Sequence, residues 1–199
     1  VNEKVKSVEE PCICLRGSRE VFMSIVFEES TKIFHLYNQE ISYIMTVLSN
    51  GHMGQLYFGK RVHHEQDYAY LYEMSYRSMS SYVFEGDYSL SLEHVKQEYG
   101  GYGTTDFRRP AIEILQQNGS RLCDFQYKSH EISKGKPKLC GLPATYVESG
   151  DEAETLILTL EDSLTGVVLE LLYTIFAQGG IIARSAKITN KGTEPLHLT

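Results

Sequence analysis

Acidic side chains are the first candidates for chemistry in this 199-residue sequence, which contains 26 Asp and Glu residues. Two carboxylates that face each other about 5 to 10 Å apart can hydrolyse a glycosidic bond. The visible candidates are Glu85 with Asp87, Asp106, and the run Asp151, Glu152 and Glu154. None has a local signature beyond its charge, so solvated loop acids are the favoured interpretation. We therefore assign no catalytic residue.

Two adjacent histidines resemble a metal cluster, because Glu65 and Asp67 follow His63 and His64 closely. Neighbouring residues of an extended chain point to opposite faces, so these two histidines are poorly placed to share one ion. No second ligand set follows at a suitable spacing, and a polar loop is the favoured interpretation. The sequence also lacks a serine elbow and a phosphate-binding turn that opens a helix. We predict no metal site and no cofactor.

A glycine-rich, aromatic stretch lies in the middle of the chain and reads YGGYG at residues 99–103. No helical repeat follows it, so a tight turn braced by aromatic rings is the favoured interpretation. Tyrosine rings can also pack on the apolar C–H patches of a sugar. The tyrosines that could do so are Tyr82, Tyr88, Tyr99 and Tyr102. Arg77, Arg108 and Arg109 could bind hydroxyl groups or pin a loop to an acid, and the sequence leaves both roles open.

The composition excludes several classes of protein. A formal net charge of −7 argues against a nucleic-acid partner, because such binding depends on Lys and Arg that neutralise phosphates. No apolar run approaches the ~20 residues of a membrane-spanning helix, so no membrane partner is predicted. The four cysteines are too scattered for a disulfide-stapled fold, and the first residues lack a secretory signal. These features predict reduced thiols and a cytoplasmic location.

The elements that must position these residues are strands. Residues 1–30 show no sustained period and are interpreted as a weakly determined leader, so the domain is predicted to span residues 31–199. From Ile33 onward apolar residues are spaced two apart, which is the period of a half-buried strand. Asn50-Gly51 separates this run from residues 55–58 and predicts a β-hairpin.

The second half of the chain continues the pattern. A second hairpin is predicted from residues 111–117 and 121–130 around Asn118-Gly119. Further strands are predicted at residues 155–161, 167–177 and 181–189. The strand at 167–177 is apolar on both faces, so it should lie centrally in its sheet. Residues 61–110 form a long irregular segment of the kind that is often functional. Short strands without a long amphipathic helix predict an all-β antiparallel sandwich.

Several stretches, in order, resemble the amino-terminal domain of glycoside hydrolase family 36 α-galactosidases. They are GHMG at 51–54 with LYFGK at 56–60, FEGDYS at 84–89, QEY at 97–99 with YGTTDFR at 102–108, KGKP at 134–137 and GLPATY at 141–146. Each stretch is weak alone, but their order and spacing are specific. The resemblance extends from residue 33 to the end of the chain.

The resemblance implies part of a β-supersandwich of the galactose-mutarotase-like kind, which leads into a (β/α)8 barrel. It implies retaining hydrolysis of terminal α-galactosyl residues, as in melibiose and raffinose, without a metal or cofactor. The family's catalytic aspartates lie in the barrel, one of them in a Lys-Trp-Asp motif, and this chain contains no tryptophan. The chain alone is therefore expected to be inactive.

The resemblance also implies partners: α-galactoside oligosaccharides through the parent enzyme, the parent's own barrel, and further copies in a homo-oligomer. In the family, amino-terminal loops can reach the rim of an active site. Arg77 and Tyr82 are the residues predicted for that rim. Two alternatives remain open, a free-standing carbohydrate-binding module and a sandwich whose purpose is oligomerisation.

Overall fold

Two antiparallel sheets form the body of the structure, a computed structural model that describes residues 23–72, 80–103, 106–141 and 144–199. The first sheet contains, side by side, β1 (Ser24–Glu28), β2 (Ile33–Tyr37), β3 (Ile41–Val47), β4 (Met53–Lys60) and β5 (Lys96–Gln97). A small ribbon pairs β6 (Ile114–Leu115) with β11 (His197–Leu198). The second sheet contains, side by side, β7 (Phe125–Lys134), β8 (Ala153–Asp162), β9 (Val167–Phe176) and β10 (Ile182–Asn190). Short 3₁₀ turns form at Ala69–Leu71 and Gly150–Glu152.

The predicted all-β antiparallel sandwich is confirmed, because every pairing within the two sheets is antiparallel. Side chains of both sheets form one apolar core between them. The members that are fully buried include Phe34, Leu36, Met45, Leu156, Leu158 and Leu169. Within each strand these residues alternate with residues of the opposite face, as the two-residue period requires. No helix among the described residues is long and apolar enough to cross a bilayer.

The three strands predicted near the end of the chain are confirmed as β8, β9 and β10. β9 lies between β8 and β10, as its two apolar faces predicted. Leu169 and Tyr173 face the core, while Val168 and Thr174 are also buried on the opposite face. This strand is therefore covered on both sides.

The first predicted hairpin is also confirmed. β3 pairs with β4, and the turn between them is closed by the Leu48 amide, which donates to the carbonyl of His52 at 2.8 Å. Gly51 has a φ of +86°, a conformation that glycine adopts without strain. The Asn-Gly pair thus marks the turn that the sequence predicted.

The second predicted hairpin is wrong in its pairing. A turn does form at the predicted place, where the Gln116 amide donates to the carbonyl of Ser120 at 2.9 Å. However, β6 pairs with β11, and β7 pairs along its whole length with β8. A tight turn fixes only its own residues, whereas β7 and β8 offer each other ten residues of pairing surface.

The first sheet begins before residue 31. Ser24–Glu28, which the sequence analysis placed in the leader, forms β1 and pairs with β2, where Ile25 lies opposite Leu36. Ile25 is buried in the core. Five residues give too short an alternation to be recognised without the partner strand. Residues 1–22 lie outside the described part of the chain.

The outer face of the first sheet is covered by the irregular segment that follows β4. Tyr68 packs there against Ile33 and Ile44, and all three side chains are buried. Farther along the same face, a second cluster is formed by Leu48, Leu90, Leu92 and Val95. This segment is therefore folded onto the sheet, and several candidate residues lie within it.

Candidate functional site

The GHMG, QEY and YGTTDFR stretches meet in one hydrogen-bonded network of polar side chains. His52 follows the turn before β4, and its Nε2 lies 2.6 Å from Asp124 Oδ1. Its Nδ1 lies 3.2 Å from Oε1 of Gln97 in β5. Gln97 in turn donates through Nε2 to Asp106 Oδ2 at 2.6 Å. Residues that are far apart in sequence are thus joined beside β5.

Arg108 holds Asp106, the last residue of this hydrogen-bonded network. Its Nε donates to Asp106 Oδ1 at 2.9 Å, and its Nη2 donates to Asp106 Oδ2 at 2.9 Å. Nη2 also donates to the carbonyls of Leu92 and Val95 at 2.7 and 2.8 Å. Burial raises the pKa of Asp106, but the hydrogen bonds and charge of Arg108 lower it more, so that the pKa lies below its ordinary value. Of the two roles left open for Arg108, the structure shows loop pinning.

A buried carboxylate joins the two sheets. Oε1 of Glu98 accepts a hydrogen bond from the Tyr43 hydroxyl at 2.6 Å, and Oε2 accepts one from the Tyr173 hydroxyl at 2.6 Å. Arg184 Nη2 donates to Oε2 at 2.8 Å and its guanidinium lies over the Tyr173 ring. Burial and the negative charge of Glu98 raise the pKa of both tyrosine hydroxyls. The Glu98 side chain is only 1 % exposed, so this group acts within the fold.

The predicted rim residue Tyr82 lies in a loop rich in aromatic side chains, residues 80–90, which we call the aromatic loop. The Tyr82 and Tyr88 rings meet edge to face with centroids 5.0 Å apart. Tyr88 is 56 % exposed and Phe84 is 40 % exposed. The loop tip turns at Gly86, whose φ is +77°. Arg77, the other predicted rim residue, lies outside the described residues.

The remaining candidate carboxylates have separate positions and roles. Glu85 and Asp87 are exposed at the tip of the aromatic loop, where Asp87 Oδ1 accepts from the Ser89 amide at 2.8 Å. Glu154 accepts a hydrogen bond from the Ile25 amide at 3.0 Å and so links β8 to β1. Asp151 and Glu152 are exposed in the 3₁₀ turn before β8.

The glycine-rich stretch at residues 99–103 serves packing. Tyr99 packs against the core, and the Gly100 carbonyl accepts from the Ala111 amide at 2.8 Å. A Cβ at Gly101 would overlap the sulfur of Cys123. Glycine is therefore required there by a close approach. The structure supports the interpretation of a braced turn for this stretch.

The two adjacent histidines do not share one partner. The Nδ1 of His64 lies 3.1 Å from the Nδ1 of His35 in β2, whereas the His63 carbonyl accepts from the Tyr68 hydroxyl at 2.7 Å. Burial, then the charges of His64 and Arg61, lower the pKa of His35 to about 4. Within the described residues, no group of three or more His, Cys, Asp or Glu side chains is arranged to hold a metal ion.

The sequence alone does not identify the partners in these clusters. In the sequence, Glu98 stands out only as part of the QEY stretch, and nothing marks His35. Tyr43 and Tyr173 are 55 and 75 residues from Glu98 along the chain. The only signal of such a junction in the sequence is an acid in an apolar, tyrosine-rich context, and it does not name the partners.

Comparison with known families bears directly on these motifs. The family model described as the glycosyl hydrolase family 36 N-terminal domain matches residues 51–199. The chain belongs to glycoside hydrolase family 36. This confirms the resemblance, and the motifs that meet around Gln97 and Asp106 all lie within the matched region. This chain is 43 % identical over 176 residues to alpha-galactosidase AgaA of Geobacillus stearothermophilus. The aligned region covers 88 % of this chain and 24 % of AgaA.

Solved structures of the family share the fold. The alpha-galactosidase from Lactobacillus brevis matches with a TM-score of 0.84 at 36 % identity, over 87 % of this chain and 23 % of that protein. An AgaA variant solved in complex with raffinose matches with a TM-score of 0.79 at 43 % identity, over 84 % of this chain and 23 % of AgaA. The chain thus spans about a quarter of the length of these relatives.

Proposed function

We propose that this chain is the non-catalytic amino-terminal region of an α-galactosidase that removes terminal α-galactosyl residues from oligosaccharides such as melibiose and raffinose. The family match over residues 51–199 carries this proposal. The matched relatives are α-galactosidases, and one of them binds raffinose in its crystal structure. Because such relatives are about four times as long, turnover is assigned to the parent protein and not to this chain.

The role proposed for the chain is support of the parent's barrel and of oligomer assembly. Its described residues form a braced sandwich in which Glu98 bonds to strands of both sheets. In this part of the chain β10 pairs only with β9 and β1 pairs only with β2. Strand edges of this kind accept further main-chain hydrogen bonds from another segment or copy. The proposed partners are therefore the barrel and a second copy of the parent, in a cytoplasmic enzyme.

The aromatic loop is proposed to contribute to the substrate rim. Rings such as those of Phe84 and Tyr88 offer apolar faces that can pack on sugar C–H groups. Tyr82 braces Tyr88 edge to face and so fixes its orientation. Arg77 is proposed for the same rim on the basis of the family resemblance alone.

The rim proposal is tested in the parent enzyme with Tyr82→Ala and a matched control, Tyr146→Ala, which removes an exposed ring outside the aromatic loop. We expect Tyr82→Ala to lower kcat/KM for raffinose more than for an aryl α-galactoside, because the aryl substrate lacks the outer sugars. Equal kcat/KM values for Tyr82→Ala and Tyr146→Ala on both substrates would refute the rim role.

A second function, sugar binding by the chain on its own, is favoured by the exposed rings of the aromatic loop. Since the chain has no tryptophan, raffinose can be titrated against its tyrosine fluorescence. Saturable binding that disappears in Tyr88→Ala supports a binding module. An unchanged signal supports the purely structural role. In either case, the purified chain is expected to release no phenol from an aryl α-galactoside.

A further inference from the structure

Arg108 holds the segment that follows the aromatic loop. Its Nη2 donates to the carbonyls of Leu92 and Val95 at 2.7 and 2.8 Å. These two residues are only 0 % and 1 % exposed, so their carbonyls need a donor from within the fold. The guanidinium therefore fixes the backbone at both ends of residues 92–95, just after the loop.

The aromatic loop is tied to this fixed segment at its base. The Val83 amide donates to the Leu90 carbonyl at 3.2 Å, which closes the loop. Leu90 lies with Leu92 in the same buried cluster on the first sheet. Ser80 Oγ lies 3.3 Å from Nε2 of His94, which joins the start of the loop to the same segment. The position of the loop therefore depends on the segment that Arg108 fixes.

Arg108 is itself oriented by Asp106. Its Nε donates to one carboxylate oxygen and its Nη2 to the other, both at 2.9 Å. Asp106 also accepts from Nε2 of Gln97 at 2.6 Å, and Gln97 lies in β5 of the first sheet. A planar guanidinium can hold a carboxylate with two donors and still serve both carbonyls, whereas a lysine ammonium cannot keep this geometry. The aromatic loop is thus linked to the first sheet through Arg108, Asp106 and Gln97.

We propose that Arg108 is a positioning residue for the substrate rim, and that it sets the preference of the parent enzyme for oligosaccharides over small aryl α-galactosides. The exposed rings of the loop belong to Phe84 and Tyr88. Packing on a sugar requires a ring at a defined distance and angle, so a loop that shifts loses the contact even when its rings remain. In this role Arg108 acts through the loop and not by contact with the sugar. The inference rests on the rim role proposed above for the aromatic loop.

The test compares Arg108→Lys with the matched control Arg109→Lys in the parent enzyme. Both changes keep the positive charge, and Arg109 is an exposed neighbour of Arg108. The Arg108 side chain is 47 % exposed, so water can replace part of its bonds and the lysine variant should fold. Asp106→Asn is a second variant, which leaves Arg108 in place but removes the charge that orients it.

Backbone hydrogen exchange in the parent enzyme tests whether Arg108 holds the loop. In Arg108→Lys the amides of residues 80–95 should exchange at least about threefold faster than in the unmodified enzyme, while those of β8 and β9 stay unchanged. Asp106→Asn should show the same pattern, and Arg109→Lys should match the unmodified enzyme. Unchanged exchange in residues 80–95 of Arg108→Lys, or an equal rise in β8 and β9, would overturn the positioning role.

Kinetics test the consequence for the substrate. We expect Arg108→Lys to lower kcat/KM for raffinose by about threefold to tenfold, mainly through KM, and kcat/KM for an aryl α-galactoside by less than about twofold. In a Tyr82→Ala background, Arg108→Lys should not change the ratio of these two kcat/KM values further, because both changes act on one loop.

The same kinetics separate this inference from the rim proposal on which it rests. If Tyr82→Ala lowers the ratio of kcat/KM values but Arg108→Lys does not, the positioning role of Arg108 is wrong and the rim proposal stands. If Tyr82→Ala leaves the ratio unchanged, the rim proposal fails and the inference about Arg108 fails with it.

Discussion

Replacing Glu98 by Gln tests whether the carboxylate between the sheets stabilises the fold. In the native chain Glu98 accepts from Tyr43, Tyr173 and Arg184. Gln keeps an oxygen for Tyr43 but presents an N–H group to Tyr173 and Arg184, which are both donors. Hydrogen bonds to charged groups contribute about 1.5–3 kcal/mol, and burying a donor without an acceptor adds a further cost.

Arg184 contributes little to this loss, because its side chain is 45 % exposed and water can replace the lost bond. Glu98→Gln is therefore expected to lower the free energy of unfolding by about 2–4 kcal/mol, mostly because the buried Tyr173 hydroxyl loses its acceptor. Urea unfolding followed by circular dichroism should show a lower midpoint at an unchanged slope.

The matched control is Tyr57→Phe, which removes a hydroxyl that donates to the Lys60 carbonyl at an exposed site. It should cost less than about 1 kcal/mol. A Glu98→Gln protein whose stability equals that of the Tyr57→Phe control would refute the argument.

Two other predictions follow from the pKa of Asp106 and from the packing of Gly101. The pKa of Asp106 in the folded chain lies below its ordinary value of 3.8. The ionised Asp106 carboxylate therefore stabilises the fold fully at pH values above 3.8. This stabilisation is lost as the pH falls through the folded pKa. Urea midpoints measured from neutral to acidic pH should therefore fall less steeply in Asp106→Asn than in the native chain, and equal slopes would contradict this. Gly101→Ala should cost about 1–3 kcal/mol, because its methyl group overlaps the sulfur of Cys123. The control is Gly150→Ala, where the new methyl group meets open space. Equal urea midpoints for the two variants would contradict the prediction, because they would mean that Cys123 moves aside at no cost.

Much of the sheet structure could be predicted from local sequence. β8, β9 and β10 each carry nine or ten residues with a clear apolar pattern, and their bounds agree with the prediction within about two residues. The first hairpin was predictable because Asn50-Gly51 supplies both the turn and the positive φ. In these elements the local pattern and the final pairing agree.

Pairing between distant segments could not be predicted in this way. The turn around Gly119 formed as expected, yet the strands beside it pair with segments elsewhere in the chain. Ser24–Glu28 became a strand only because β2 offers it a partner. Register between distant strands depends on burial in the assembled sandwich, which a single local window does not contain.

In the candidate sites, too, local motifs could be predicted from the sequence, whereas contacts between distant residues could not. The stretches that indicated family 36 were readable as sequence, and the family match confirms that interpretation. The contacts of Arg108 and Glu98 were not readable, because they join residues brought together only by folding. His64 was noticed for its neighbour His63, but its actual partner is His35, 29 positions away.

Galactose release from raffinose tests whether the activity proposed for the parent protein lies outside this chain. The parent protein, translated from the complete source gene, and the 199-residue chain are purified separately and assayed at equal molar concentration. We expect galactose and sucrose from the parent and no product from the chain. Release of galactose by the chain in proportion to its concentration, or a complete parent that leaves raffinose and aryl α-galactosides intact, would contradict it.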